Sequence, residues 1–151
     1  FVILDWKTNK DGLHFTSGFY RKDKKAKPVQ LTNEWCNTHE MMLPPFGHLE
    51  NCNGNHYTIQ LSTYARMVEM ILNIPCYGLG LCHIQTPFIK NQYGMPLRDK
   101  RGMYEIDKNG KEVVTWYHIK YIRNEIDAMF QDRRIYLNSK GLLNKQTEIQ
   151  W

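Results

Sequence analysis

The residues near the start of the chain that are best suited to chemistry are a carboxylate and an ammonium two positions apart. Asp5 and Lys7 follow an apolar run at residues 1–4. Because side chains alternate between the two faces of a β-strand, both should point the same way at the end of such a strand. A carboxylate can hold a divalent cation that activates water, and an ammonium can stabilise charge developing on a phosphate. The pair suits phosphodiester hydrolysis, and the alternative is a surface ion pair.

A second pair of polar side chains, Gln60 and Tyr64, is separated by four residues. This spacing is one helical turn, so both side chains would lie on the same side of a helix. Gln60 can donate and accept hydrogen bonds, and Tyr64 offers a ring and a hydroxyl. Taken alone, Tyr64 would equally suit a hydrophobic core, and Gln60 any satisfied polar position.

Two strands and a helix would position these residues. The apolar run at the start predicts a strand over residues 1–6. A helix is predicted from His56 because apolar residues recur there at steps of three and four, and Pro75 would stop it. The apolar positions of this helix are Tyr57, Leu61, Tyr64, Ala65, Val68, Ile71 and Leu72. Residues 77–84 predict a second strand, with Leu79, Leu81 and His83 on one face.

The rest of the chain is less regular. Residues 13–55 contain several Pro and Gly and no sustained periodicity, which predicts a long insertion with short strands or a helical turn around residues 32–42. A turn at residues 108–110 predicts a hairpin between residues 102–106 and 112–116. A second helix should follow, with an apolar face formed by Ile119, Ile122, Ile126, Met129 and Phe130. This order indicates an α/β domain.

The combination of these motifs resembles the RecB-type nuclease branch of the PD-(D/E)XK superfamily. The relevant segments are the strand I-L-D-W-K-T, the helix with Q-L-S-T-Y-A and the strand Y-G-L-G-L-C-H-I. The resemblance covers about the first 85 residues apart from the insertion. It implies a restriction-endonuclease-like core, in which a mixed sheet is flanked by helices, over residues 1–137, with a C-terminal extension at residues 138–151. It also implies metal-dependent DNA cleavage, by an exonuclease or endonuclease, in replication, recombination or repair, with a bacteriophage as one suitable source.

The resemblance also implies roles for particular residues. Asp5 matches the metal-binding acid and Lys7 the catalytic lysine. The carbonyl of Trp6 matches a further backbone ligand, and Gln60 and Tyr64 match the Q-x-x-x-Y motif beside the active site. Mg²⁺ or Mn²⁺ would be the cofactor, since both ions prefer oxygen ligands.

One departure from the family concerns the remaining acids. The family has another acid on the strand before D-x-K and a Glu or His on an earlier helix, and the chain begins at Phe1 without them. The resemblance therefore implies a core that is incomplete at its N-terminus, inactive alone and dependent on a missing N-terminal segment. The alternative is a processed nuclease-like fragment with a structural or protein-binding role among the other proteins of an assembly such as a virion.

Composition is compatible with this interpretation. The 151 residues, 42% hydrophobic and 23% charged, suit one ordinary globular domain. No apolar run approaches the roughly 18 residues that span a membrane, and no signal peptide is visible, so we expect a cytoplasmic protein with no membrane partner. The formal net charge is +5. A basic segment, either a solvated loop or a contact with the DNA backbone, contains Arg21, Lys22, Lys24 and Lys25.

The remaining candidates are cysteines, histidines and tryptophans. The four cysteines form no C-x-x-C pair and are expected to be free thiols, and their spacing excludes the iron–sulfur cluster of some relatives. Zinc binding within the insertion is left open, because its ligands would follow no known finger pattern. Those ligands would be Cys36, His39, His48 and Cys52. Trp35, Trp116 and Trp151 could stack on nucleic-acid bases, or pack in a core.

Overall fold

A computed structural model describes residues 1–8 and 12–143, and within these ranges the chain forms five strands and two helices. The strands are β1 (Val2–Lys7), β2 (Gly18–Asp23), β3 (Gln30–Asn37), β4 (Gly78–Gln85) and β5 (Val113–Ile119). The helices are α1 (Asn53–Leu72) and α2 (Arg123–Ser139). The chain is therefore an α/β protein, as the sequence predicts.

The main sheet has three strands in the order β1–β4–β5. β1 and β4 run parallel, with Val2 opposite Gly78 and Lys7 opposite His83, whereas β5 runs antiparallel to β4. Parallel neighbours cannot be joined by a tight turn, and α1 lies in the crossover between β1 and β4. The result is a mixed sheet in which β4 is central and the outer edge of β1 has no strand beside it among the described residues.

The first part of the core lies between α1 and the sheet. Its buried members come from α1 and from the two strands that follow it: Leu61, Ala65, Leu79, Leu81 and Ile119. The alternation expected for β4 is confirmed, since Leu79, Leu81 and His83 are each at most 3% exposed. The predicted helix also forms, although it begins at Asn53 instead of His56 and ends with Asn73 in the left-handed conformation. Its predicted apolar face is only partly correct, because Tyr64, Ile71 and Leu72 are at least 46% exposed.

The insertion at residues 13–55 is more ordered than its irregular sequence indicates. β2 and β3 form an antiparallel hairpin with a register shift between Tyr20 and Lys22. Beyond the hairpin, Phe46 is buried against Ile122 and Ile126 of the α2 region. This second part of the core means that the insertion helps to hold α2 in place and is not a separate appendage.

The predicted hairpin between residues 102–106 and 112–116 is wrong. The turn itself forms, because the Asp107 carboxylate accepts a hydrogen bond from the Asn109 amide. The strand that follows it, β5, pairs along its length with β4, while Tyr104 and Ile106 form isolated bridges with Arg98 and Phe88. The backbone N–H and C=O groups of the central strand β4 need hydrogen-bond partners on both sides. β5 supplies the second set of partners and therefore pairs with β4 instead of with residues 102–106.

The second helix forms, but Ile119 is not on it. Ile119 is the buried last residue of β5, and α2 begins at Arg123. α2 then continues to Ser139, two residues into the predicted C-terminal extension, and residues 144–151, with Trp151, lie outside the described part of the chain. Within the described ranges, no helix is both long and apolar enough to cross a membrane.

One carboxylate links the end of α1 to the segment before β4 and to the start of α2. Glu69, whose side chain is 8% exposed, accepts hydrogen bonds from the Cys76 amide and the Tyr121 hydroxyl. Arg66 and Arg123 lie within 3.6 Å of the same carboxylate. Burial alone would raise the pKa of Glu69, but these hydrogen bonds and charges outweigh it and lower the pKa overall.

A glycine in the first turn of α1 allows the segment around residue 14 to pack closely on the helix. A methyl group on Gly54 would lie 2.6 Å from the His14 carbonyl oxygen and 2.8 Å from the Phe15 ring. Alanine favours helices by about 1 kcal/mol over glycine. Overpacking typically costs about 1–3 kcal/mol, so we expect Gly54→Ala to destabilise the protein on balance.

Denaturant unfolding would measure this effect, with Gly47→Ala as the control. A methyl group at Gly47 meets nothing closer than the Met42 carbonyl oxygen at 3.6 Å. A Gly54→Ala variant more stable than the parent protein would contradict the close packing of residues 14 and 15 on α1.

Candidate active site

The Asp and Lys of β1 lie on the same face of the strand, as strand alternation predicts. Lys7 Nζ is 2.8 Å from Asp5 Oδ2, and the two side chains are 17% and 27% exposed. This face is the one that packs on α1, because Ile3, on the same side, contacts the core formed with that helix. The pair is therefore a partly buried ion pair at the carboxyl end of β1.

α1 brings the second predicted pair to the first. Lys7 Nζ donates a hydrogen bond of 3.0 Å to Gln60 Oε1, and Gln60 Nε2 donates one of 2.8 Å to the Tyr64 hydroxyl. Lys7 Nζ also lies 4.4 Å from the centre of the Tyr57 ring. All four predicted residues thus form one connected polar chain, and Tyr57 adds a cation–π contact that holds the ammonium.

The two carboxylate oxygens of Asp5 differ in their surroundings. Oδ1 accepts a hydrogen bond of 2.8 Å from the Trp6 amide. Oδ2 is shielded from solvent and, apart from its ion pair with Lys7, accepts no hydrogen bond of good geometry from any described residue. A shielded oxygen with spare acceptor capacity suits a hard cation such as Mg²⁺.

Among the described residues, Asp5 is not part of a larger metal-binding cluster. No group of three or more His, Cys, Asp or Glu side chains comes together there. Mg²⁺ is often held by one or two carboxylates with water and substrate phosphates, so one carboxylate fits the lower limit of such a site. The Trp6 side chain lies on the opposite face, edge to face with Trp116 at 5.5 Å, so only the Trp6 carbonyl could join Asp5.

His83 is a residue of this site that sequence reasoning placed only in the core. It is 3% exposed and lies directly opposite Lys7 in the parallel pair β1–β4. Residues in register on adjacent strands share a face of the sheet, so His83 lies on the same face as Lys7, the face that packs on α1. Imidazole can act as an acid, a base or a metal ligand. The sequence pattern could have indicated this position, since His83 is a polar residue that follows Leu79 and Leu81 on an otherwise apolar face of β4.

The four residues considered as zinc ligands do not form a metal-binding group, and the two histidines lie next to carboxylates instead. His39 lies 3.6 Å from Glu50 Oε1, and His48 lies 3.3 Å from Glu125 Oε1. Cys36 lies in β3, and Cys52 is buried at the start of α1. All four cysteines of the chain are free thiols.

The basic segment lies on β2 and the turn that follows it. Arg21 pairs with Glu34 across the hairpin at 3.0 Å, while the exposed Lys22 forms no ion pair with a described residue. Lys24 and Lys25 are exposed at the turn. Contact of these residues with DNA therefore remains a prediction, and Lys22 is the member of the segment that lines a pocket.

The chain was compared with known families, proteins and structures. No protein-family model, curated protein or solved structure matches it. The functional interpretation therefore rests on the geometry of Asp5, Lys7, Gln60 and Tyr64.

Proposed function

We propose that this protein is a metal-dependent nuclease that hydrolyses phosphodiester bonds in DNA. The observation that supports the proposal most is the chain of contacts from Asp5 through Lys7 and Gln60 to Tyr64. Lys7 and Gln60 are 53 residues apart and are joined only because α1 crosses over the sheet. A surface ion pair would not need this support from a helix.

Each side chain has a task in such a reaction. Asp5, with the Trp6 carbonyl, would hold Mg²⁺ or Mn²⁺, which supplies activation of water and polarisation of the phosphate. Lys7 is positioned by Asp5, Gln60 and the Tyr57 ring, so its ammonium can stabilise charge that develops on the phosphate without reorganising. Gln60 and Tyr64 orient the lysine from the helix side.

The fold that we propose is the restriction-endonuclease-like core that the motifs resemble. Two features support this assignment: the mixed sheet with α1 packed on one of its faces, and the position of Asp5 and Lys7 at the end of β1. The resemblance also calls for an acid on a preceding strand. The outer edge of β1 is open to such a strand within the described part of the chain.

A cleavage assay tests the proposal. The natural protein would be incubated with end-labelled DNA in Mg²⁺, in Mn²⁺ and in a chelator, and products would be sized over time. We expect cleavage with either ion and none with the chelator. A protein that cuts nothing with either ion, or that cuts equally well in the chelator, would refute a metal-dependent nuclease. Shortening from a labelled end would indicate an exonuclease, and internal cuts an endonuclease.

Gln60 provides a second test because it acts through Lys7. In Gln60→Leu the ammonium loses its 3.0 Å hydrogen bond while the helix keeps a side chain of similar size. We expect kcat to fall by about tenfold to a hundredfold, since removal of a group that only positions a catalytic residue costs less than removal of that residue.

The matched control for Gln60→Leu is Gln131→Leu, an exposed glutamine on α2. An unchanged kcat in Gln60→Leu would contradict the role of the helix in holding Lys7.

A second candidate function is favoured by the opposite face of the sheet. This face is apolar and more than half exposed at Val2, Leu4, Trp6, Val114 and Trp116. Exposed apolar patches of this kind mark protein interfaces. A natural protein that cuts no nucleic acid and is recovered in a stable larger assembly would favour a structural or protein-binding role over the enzyme.

A further inference from the structure

A pocket of about 500 Å³ lies where the β2–β3 hairpin meets the loop that follows β4. Its walls combine flat rings with positive charge. The rings and cations that line it include His14, Tyr20, Trp35, Tyr104, Lys22 and Arg98. A pocket of this size suits a small aromatic ligand or one unit of a polymer.

The rings in this pocket have a defined arrangement. His14 stacks flat on Trp35, with centroids 4.0 Å apart and planes 8° apart, and Tyr20 meets Trp35 edge to face at 5.0 Å. Trp35 can lie so close to β2 because residue 18 is glycine, where a methyl group would lie 2.7 Å from the indole. The close packing of β2 and β3 therefore fixes the position of the Trp35 ring, and the His14 ring already stacks on it.

The positive charge belongs to the same surface. Arg98 lies 4.2 Å from the centre of the Tyr104 ring and donates a hydrogen bond to its hydroxyl. A second cavity of about 430 Å³ adjoins the first, shares Lys22 and Arg98 with it, and adds Lys100. The one carboxylate that lines this cavity, Asp99, already accepts hydrogen bonds from two backbone amides of its own turn. An excess of cations is left to face a ligand.

Helix α1 connects the pocket to the candidate active site. Asn53 lines the pocket, Tyr57 contacts Lys7, and Gln60 bonds to Lys7. These three residues follow one another at steps of four and three, so they lie on one face of the helix. At 1.5 Å per residue, Asn53 and Gln60 are about 10 Å apart along the axis. One extended polymer could thus reach both places.

We propose that this pocket binds an unpaired base of a single-stranded nucleic acid, with Lys22 and Arg98 on its phosphates. Aromatic rings combined with cations are the usual means of binding single strands, because every base has a face for stacking. A duplex keeps the faces of its bases stacked inside and offers phosphates and the edges of its bases in the grooves. Base binding itself is independent of cleavage, whereas delivery of the strand to Asp5 and Lys7 rests on the proposed nuclease function.

Binding without cleavage tests this proposal. A fluorescein-labelled oligo-dT of about 16 nucleotides would be titrated with the natural protein in a chelator, with fluorescence anisotropy as the readout. An oligo-rU and a DNA duplex of equal length would be titrated in parallel. We expect the single strands to bind more tightly than the duplex. Comparison of the two single strands distinguishes DNA from RNA as the source of the base.

Trp35→Ala should weaken binding of the single strands about tenfold or more and affect duplex binding little. Trp116→Ala is the matched control, because Trp116 does not line the pocket. It is 57% exposed on the face of the main sheet that faces away from α1. Trp35→Phe keeps a ring and should restore most of the affinity, which separates stacking from loss of folding. Equal losses in Trp35→Ala and Trp116→Ala, or no loss in Trp35→Ala, would overturn the proposal.

The two proposals fail separately. Tight, Trp35-dependent binding with no cleavage in Mg²⁺ or Mn²⁺ would support the base pocket and refute the nuclease function. Metal-dependent cleavage with no preference for single strands and no effect of Trp35→Ala would support the nuclease function and refute the base pocket.

Discussion

Asp5→Asn is expected to abolish metal-dependent cleavage of DNA by the natural protein. Asn keeps the shape of the side chain and an oxygen that can accept from the Trp6 amide, which Asp5 binds at 2.8 Å. It lacks the negative charge that would hold Mg²⁺ or Mn²⁺ beside Lys7. We expect a loss of about a thousandfold or more in kcat, comparable with removal of a principal electrostatic contribution to a transition state.

A test of folding, a control variant and a Mg²⁺ titration make the Asp5 prediction specific. Circular dichroism and denaturant unfolding should show that Asp5→Asn remains folded, because Lys7 keeps its hydrogen bond to Gln60. Asp132→Asn, at an exposed position on α2, should leave the rate unchanged. Raising the Mg²⁺ concentration should not rescue the variant fully. Retained cleavage by Asp5→Asn would show that Asp5 takes no part in the reaction and would overturn the assignment of the active site to this end of β1.

Glu69→Ala should cause a large loss of stability, because the carboxylate that it removes is shielded from solvent. The substitution removes the acceptor for the Cys76 amide and the Tyr121 hydroxyl and leaves Arg66 with one acidic partner fewer. Unmade hydrogen bonds in a shielded place cost about 1–3 kcal/mol each. We therefore expect the free energy of unfolding to fall by about 2–3 kcal/mol. Glu112→Ala, at an exposed position before β5, is the control.

The Glu69 effect should depend on pH in a defined direction. The pKa of Glu69 is lowered in the folded protein, despite burial, by its hydrogen bonds and the neighbouring arginines. A lowered pKa contributes stability that is fully present above the ordinary pKa of glutamate, about 4.3, and is lost as the pH falls through the folded value. The stability difference between the parent protein and Glu69→Gln should therefore be constant near pH 7 and shrink below about pH 4. A difference that grows in acid would contradict this role.

Local patterns predicted the parts of the site that depend on one element. Strand alternation is sufficient to place Asp5 beside Lys7, and helical spacing is sufficient to place Gln60 beside Tyr64. The contact between Lys7 and Gln60 was expected only through a family resemblance. It depends on parallel pairing of β1 with β4, and no short stretch of sequence carries that information.

The elements that sequence reasoning missed depend on distant partners. β5 carries the alternation of a hairpin strand, yet it pairs with β4 because the central strand needs a neighbour on each side. β2 and β3 lie in a polar segment, and their register shift between Tyr20 and Lys22 disturbs the two-residue period. Phe46 is buried against Ile122 and Ile126, which are distant from it in the sequence. In each case the pairing or the burial of a segment depends on tertiary packing and not on its local sequence.

The parallel pairing of β1 with β4 also has a consequence during synthesis on the ribosome. Val2 and Lys7 must wait for Gly78 and His83 before their strand has its partner. At about 5–20 residues per second, this delay is roughly 4 to 15 s, during which β1 lacks the neighbouring strand that β4 provides. A nascent strand in this condition is a substrate for chaperones and for unwanted association with neighbouring chains. The same topology that joins Lys7 to Gln60 therefore makes the yield of folded protein sensitive to the speed of translation between β1 and β4.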